Sequence, residues 1–115
     1  ANVKRAILEA SEIDTRLVMR PLRNTERVLK NTATDRLLEK ESRLGTDLKI
    51  DDIMDEVAGV YPKIMVDGDM DAGVWSCGMV AGLIHDIPTC QELIETIMSE
   101  AEFLIRKRLE GMVAA

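Results

Sequence analysis

Apolar residues recur along the chain with a spacing that changes from segment to segment, and the changes mark the elements. Val3, Ala6, Ile7, Ala10 and Ile13 fall at helical spacing, with Lys4, Arg5 and Glu9 on the other side. The spacing predicts a helix over Asn2 to Ser11 whose apolar stripe needs a partner surface. Thr15 to Arg20 (TRLVMR) lacks that period and stops at Pro21, which disfavours helix at Arg20, so it is predicted to be extended. Asn24 can cap a short helix over Thr25 to Asn31. Thr34 can cap another that carries Leu37, Leu38, Glu41 and Leu44 and closes at Gly45, suited to a left-handed C′ position.

Asp51 stands before Ile53, Met54 and Val57, an acidic first turn that predicts a helix, and Gly59 and Pro62 then interrupt it before another short turn. Thr89 and Glu92 have the T-x-x-E spacing of a capping box, in which hydroxyl and carboxylate satisfy each other's orphan amides. From there Leu93, Ile94, Ile97, Met98, Ala101, Leu104, Ile105 and Leu109 keep one apolar stripe, and Arg106, Lys107 and Arg108 gather at the electronegative end. A terminal helix over about Cys90 to Glu110 follows. No repeat or Gly/Ser linker divides the chain, which reads as one mainly α-helical domain with segments 1–31, 32–88 and 89–115.

With 46% apolar and 31% charged residues the chain is globular in composition, yet its 115 residues leave no room for a complete barrel of about 250. A net charge of −6 opposes contact with polyphosphate and argues against a nucleic-acid partner. Cys77 and Cys90 make no disulfide framework and match no close zinc pairing; they read as reduced thiols of a cytoplasmic protein. The first residues read as a charged amphipathic helix without a long apolar run or a small-residue cleavage site, so no export signal is expected in them. The longest uncharged run, Ala72 to Ile84, has 13 residues, well below the ~20 that span a bilayer, so it is expected to be buried in protein.

Asp67, Asp69 and Asp71 imitate the start of a calcium loop, but Ala72 and Gly78 stand where that loop needs Gly and Glu, so a solvated acidic turn is expected and no metal. His85, beside Asp86, is the lone histidine and has no second ligand or nearby nucleophile; it reads as a surface or capping residue before Pro88. Gly73 to Gly82 concentrates three glycines with Trp75, Ser76 and Cys77. On a helix Gly78 and Gly82 would share a face and admit a close neighbour. Packing is the first reading of this segment. The other is a ligand wall offering one hydroxyl and one planar ring.

The stretch GDMDAGVWSCGMVAGLIHDIPTCQELIETIMSEAE, Gly68 to Glu102, closely resembles the C-terminal part of bacterial nitronate monooxygenases, also called 2-nitropropane dioxygenases. VKRAILEASEIDTRLVMRPLRNTERVLKN, Val3 to Asn31, resembles the stretch after the last barrel strands of that family, and the ending RKRLEGMVAA is similar to that of its flavin-dependent NADH:quinone reductase members. The resemblance implies the C-terminal helical portion of an FMN-binding TIM-barrel enzyme, packed over the barrel mouth. The barrel, the flavin-phosphate loops and the catalytic histidine would belong to the preceding part of the polypeptide, and His85 does not match that histidine. Ser76 matches a serine near the family's active site and is the candidate catalytic residue, with Gly73, Trp75 and Gly78 as pocket lining.

The expected activity is oxidation of alkyl nitronates with O2, the flavin handling the electrons. NADH:quinone reduction on the same fold is the alternative, and a non-catalytic all-helical interaction module is another. Alone, this portion would be inactive. It would also expose the apolar faces of Val3 to Ile13 and of the terminal helix, so either association or partial disorder is expected.

Overall fold

The computed structural model describes residues 2–113, which fall into two compact units divided between His85 and Asp86. The first unit opens with α1 (Asn2–Glu9) and a 3₁₀ turn, Glu12–Asp14. The Ser11 amide and hydroxyl donate to the Asp14 carboxylate at 2.8 and 2.6 Å. These bonds, the hydroxyl's first, hold the Asp14 carboxyl below its ordinary range.

β1 (Thr15–Val18) is extended as its pattern predicts, and pairs antiparallel with β2 (Glu26–Leu29) in the register Thr15 with Leu29 to Val18 with Glu26. The helix expected over Thr25 to Asn31 is therefore a strand. Val28 is fully buried between the pairing partners, and cross-strand packing overrides a local cap signal at Asn24. The cap position shifts with it. α2 (Thr32–Leu44) is capped by Asn31, whose side-chain oxygen accepts from the Thr34 amide at 2.8 Å, while Thr34 is buried with its hydroxyl 2.9 Å from the Leu29 carbonyl oxygen. Gly45 ends α2 at φ +55°, a conformation costly for any residue with a Cβ, and its amide bonds the Glu41 carbonyl.

A 3₁₀ turn, Ile50–Ile53, leads into α3 (Met54–Val57). Gly59 at φ +65° breaks the helix, and one wide turn, Lys63–Asp67, follows Pro62, in agreement with the helix, break and turn expected there. Residues 75–77 then return to the hairpin as a third, minimal strand. Ser76 bridges Val28; the Leu29 amide donates to the Trp75 carbonyl at 3.2 Å and the Cys77 amide to the Arg27 carbonyl at 3.0 Å.

Strand alternation divides the buried side chains between two cores. Val18, Val28 and Val74 join Ala33, Leu37, Leu48 and Ile53 in one. Leu29, Trp75 and Cys77 join Val60, Ile64 and Ala81 in the other, and Val3, Ala6, Ile7 and Ala10 of α1 pack on it. The apolar stripe of α1 thus has its partner within the chain, contrary to the expectation that it would be bare. Ile13 alone of that stripe is largely exposed, at 73%.

The second unit is α4 (Cys90–Phe103), a wide turn Leu104–Arg108 and α5 (Leu109–Val113), one helical run where Cys90 to Glu110 was expected. The Thr89 amide and hydroxyl meet the Glu92 carboxylate at 2.8 and 2.7 Å, and the Thr89 oxygen receives the Glu92 amide at 3.2 Å. The apolar stripe of this run is exposed along its length, from Leu93 and Ile94 to Ile105 and Leu109. Among the described residues no helix is long and apolar enough to cross a membrane.

The hydrogen bonds from Thr89 lower the Glu92 carboxyl below its ordinary value. A depressed carboxyl contributes stability above its unfolded value and loses it as pH falls through the folded one. Helicity of residues 90–113 is therefore expected to drop on acidification, and Glu92→Gln should flatten that dependence in circular dichroism. An unchanged acid transition in Glu92→Gln would contradict the assignment.

Candidate functional site

The segment singled out by its glycines is fixed from three sides. Asn31 donates its side-chain amide to the carbonyls of Met70 and Gly73 at 2.8 and 2.9 Å, and Thr32 donates its amide and hydroxyl to Asp71 at 2.9 Å. The Val74 amide donates to the Glu56 carbonyl at 2.8 Å. Glu56 itself is buried, with Lys40 Nζ at 2.9 Å and Arg36 Nε at 3.6 Å; an unpaired carboxylate there would be costly, so the pairing locks α3 to α2 beneath the segment.

Ser76 emerges from this frame on the exposed side of its strand, while Trp75 and Cys77 turn inward. Its Oγ lies 3.1 Å from the Tyr61 hydroxyl and bonds a carboxylate oxygen of Glu26; its amide donates to Tyr61 Oη at 3.2 Å. A carboxylate only accepts, so the Ser76 proton goes to Glu26, and the Tyr61 proton goes to Ser76 Oγ. Three segments thus converge on one hydroxyl. Tyr61 and Glu26 carried no signal in the sequence, because they stand 15 and 50 residues from Ser76 and share no local motif with it.

Of the other expected pocket residues, Gly73 and Trp75 turn away from Ser76 and Gly78 stays beside it. Gly73 is buried, and a Cβ there would meet Val60 at 2.4 Å and the Glu56 carbonyl at 2.7 Å, so close packing explains its identity. Trp75 is 2% exposed, its ring in the core, and among the described residues its indole nitrogen has no partner. Its edge borders a groove of about 520 Å³ with Ala6, Ala10, Leu29 and Met70, on the opposite side of the strand from Ser76. Gly78 is exposed beside Ser76, with only Val80 within 4 Å of its Cβ position.

Gly78 and Gly82 do not share a helix face. Gly78 is extended and precedes the 3₁₀ turn Met79–Leu83, whereas Gly82 sits where a Cβ would come within 2.7 Å of the Glu12 amide nitrogen. Of the acidic residues, Asp71 is engaged by Thr32, and Asp69 accepts the Asp71 amide at 3.1 Å; among the described residues no cluster of three or more His, Cys, Asp or Glu could hold a metal. His85 is exposed.

Cys77 is buried and its thiol pushed up by desolvation, whereas Cys90 is exposed. In the native chain a thiol reagent is expected to modify Cys90 rapidly and Cys77 only after denaturation. Equal native rates, read by peptide mass, would contradict the placement of Cys77.

No family model matches the chain. A stretch of 37 residues, 32% of the chain, is 51% identical to a (3aS,4S,5R,7aS)-5-hydroxy-7a-methyl-1-oxo-octahydro-1H-indene-4-carboxyl-CoA dehydrogenase of Mycobacterium tuberculosis, covering 10% of that protein. The Rhodococcus jostii protein of the same name is 46% identical over 37 residues, again 32% of this chain and 10% of that protein. In structure the chain is similar to FabK from Thermotoga maritima, with TM-score 0.79 and 26% identity over 96% of this chain and 34% of that one. The FabK M276A mutant from the same organism gives TM-score 0.72 and 24% identity over 96% and 31%. The chain thus spans about a third of the FabK chains and about a tenth of the curated relatives.

Proposed function

We propose that the chain is the C-terminal helical portion of an FMN-dependent oxidoreductase whose barrel is supplied by the rest of the polypeptide. One observation carries this reading: the fold of almost the whole chain matches a third of FabK, and that likeness supports an FMN-dependent oxidoreductase of the same superfamily. The resemblance of Gly68 to Glu102 to nitronate monooxygenases, drawn from different features, points the same way.

The exposed residues here suit the edge of a flavin pocket rather than its phosphate site. Gly78 leaves the backbone beside Ser76 open to a flat neighbour, and Ser76 presents a hydroxyl there. Trp75, with its ring in the core, offers no stacking face on the Ser76 side. When bound, the flavin would supply the electron chemistry, and this portion would orient and enclose the substrate.

For the substrate we propose an alkyl nitronate, with quinone reduced at the expense of NADH as the alternative. A second reading, dehydrogenation of a CoA thioester, is favoured by the identity to the two carboxyl-CoA dehydrogenases. The full-length protein, assayed for O2 uptake with a nitronate, NADH oxidation with a quinone, and flavin reduction by an acyl-CoA, separates them. Flavin-dependent turnover of one supports the oxidoreductase reading. A flavin-free protein inert towards all three would overturn it.

A further inference from the structure

We infer that Glu26 and Tyr61 are positioning residues that fix the Ser76 hydroxyl as a hydrogen-bond acceptor, so that the group it meets is an N–H or O–H donor and not an anionic oxygen. The inference rests on the proposed role of Ser76 at the active site. Its physical basis is the count of protons and lone pairs on one oxygen. Ser76 Oγ carries one proton, and Glu26 takes it; one lone pair receives the Tyr61 proton; one lone pair is left. The Tyr61 oxygen is held in turn by the Ser76 amide at 3.2 Å, so the phenol cannot swing to donate elsewhere without losing that bond.

Charge acts in the same direction. The Glu26 carboxylate polarises the Ser76 O–H bond and raises electron density on Oγ, which strengthens it as an acceptor, and its own charge repels an approaching anion. An anionic substrate such as a nitronate would therefore lie with its oxygens away from Ser76, and a donor group would face it. Tyr61 is 44% exposed and Ser76 is exposed, so the remaining lone pair is accessible on this chain.

Two measurements test this. In the full-length flavin-loaded protein, Glu26→Ala and Tyr61→Phe are each expected to lower kcat about 10- to 100-fold, the cost of misplacing one active-site group, with KM nearly unchanged. Glu26→Asp should restore part of the loss. Residues that act only through Ser76 lose their effect once it is gone, so neither change should lower kcat further in a Ser76→Ala background. Additive losses in that background, or wild-type kcat in both single variants, would overturn the inference.

Without any activity, the Ser76 amide in the full-length protein should exchange its hydrogen at least about 10-fold faster in Tyr61→Phe, while the ladder amides of Leu29 and Cys77 stay protected. Unchanged Ser76 exchange would also overturn it. Absence of flavin from the full-length protein would sink the proposed function and leave the exchange result standing. A flavin-bound, active protein with additive losses would sink this inference alone.

Discussion

Trp75→Ala is expected to destabilise the first unit by about 3–5 kcal/mol, the usual cost of emptying a buried large aromatic site. Small domains hold only about 5–15 kcal/mol in total, so the change removes a large share of the fold. The reason is position. Trp75 sits in the core shared by Leu29, Val60, Ile64 and Ala81, against which α1 also packs, and its backbone carbonyl accepts the Leu29 amide in the sheet. Trp75→Phe is expected to cost far less. The indole nitrogen has no partner among the described residues, and a buried unpaired donor carries a penalty of about 1–3 kcal/mol that phenylalanine avoids. Urea unfolding followed by circular dichroism compares the two; equal losses would contradict the assignment of the cost to the emptied core site.

Gly73→Ala should be nearly as severe although it adds one methyl group. Its Cβ would lie 2.4 Å from Val60 Cγ1, 2.5 Å from Val60 Cβ and 2.7 Å from the Glu56 carbonyl oxygen. The last of these is backbone, and the same oxygen accepts the Val74 amide, so relief requires moving the chain and breaking that bond. Overpacking of this kind costs about 3 kcal/mol, the upper end of the common range. At about 4–8 °C per kcal/mol for a domain of this size, the drop in Tm is easily read. Gly78→Ala, with open space at its Cβ position, is the control and should leave Tm nearly unchanged.

The contrast between these two glycines shows where local pattern stops being informative. Both stand in one uncharged run, yet what distinguishes them is Val60 and Glu56, which arrive from another part of the chain. The same holds at Thr25 to Asn31. Asn24 is an acceptable cap and the segment is short, so nothing local forbids a helix; pairing with β1 on one side and Ser76 on the other makes it a strand. Elements whose signals lie within one turn were legible: the Thr89–Glu92 cap, the positive φ of Gly45, the break at Gly59 and Pro62.

The candidate site divides along the same line. Ser76 was singled out by a resemblance of motif, and the structure places it exposed on its strand. Tyr61 and Glu26 were not legible, because a hydrogen bond spanning 50 residues leaves no periodicity to read. The stripe of the terminal helix, from Leu93 to Leu109, is the reverse case: its pattern is plain in the sequence, and its residues are exposed.

The most direct test is the flavin released on denaturation from the full-length protein that contains these 115 residues. Stoichiometric FMN is the predicted result. A full-length protein that folds, carries no flavin and takes none up from solution would contradict the account at its root.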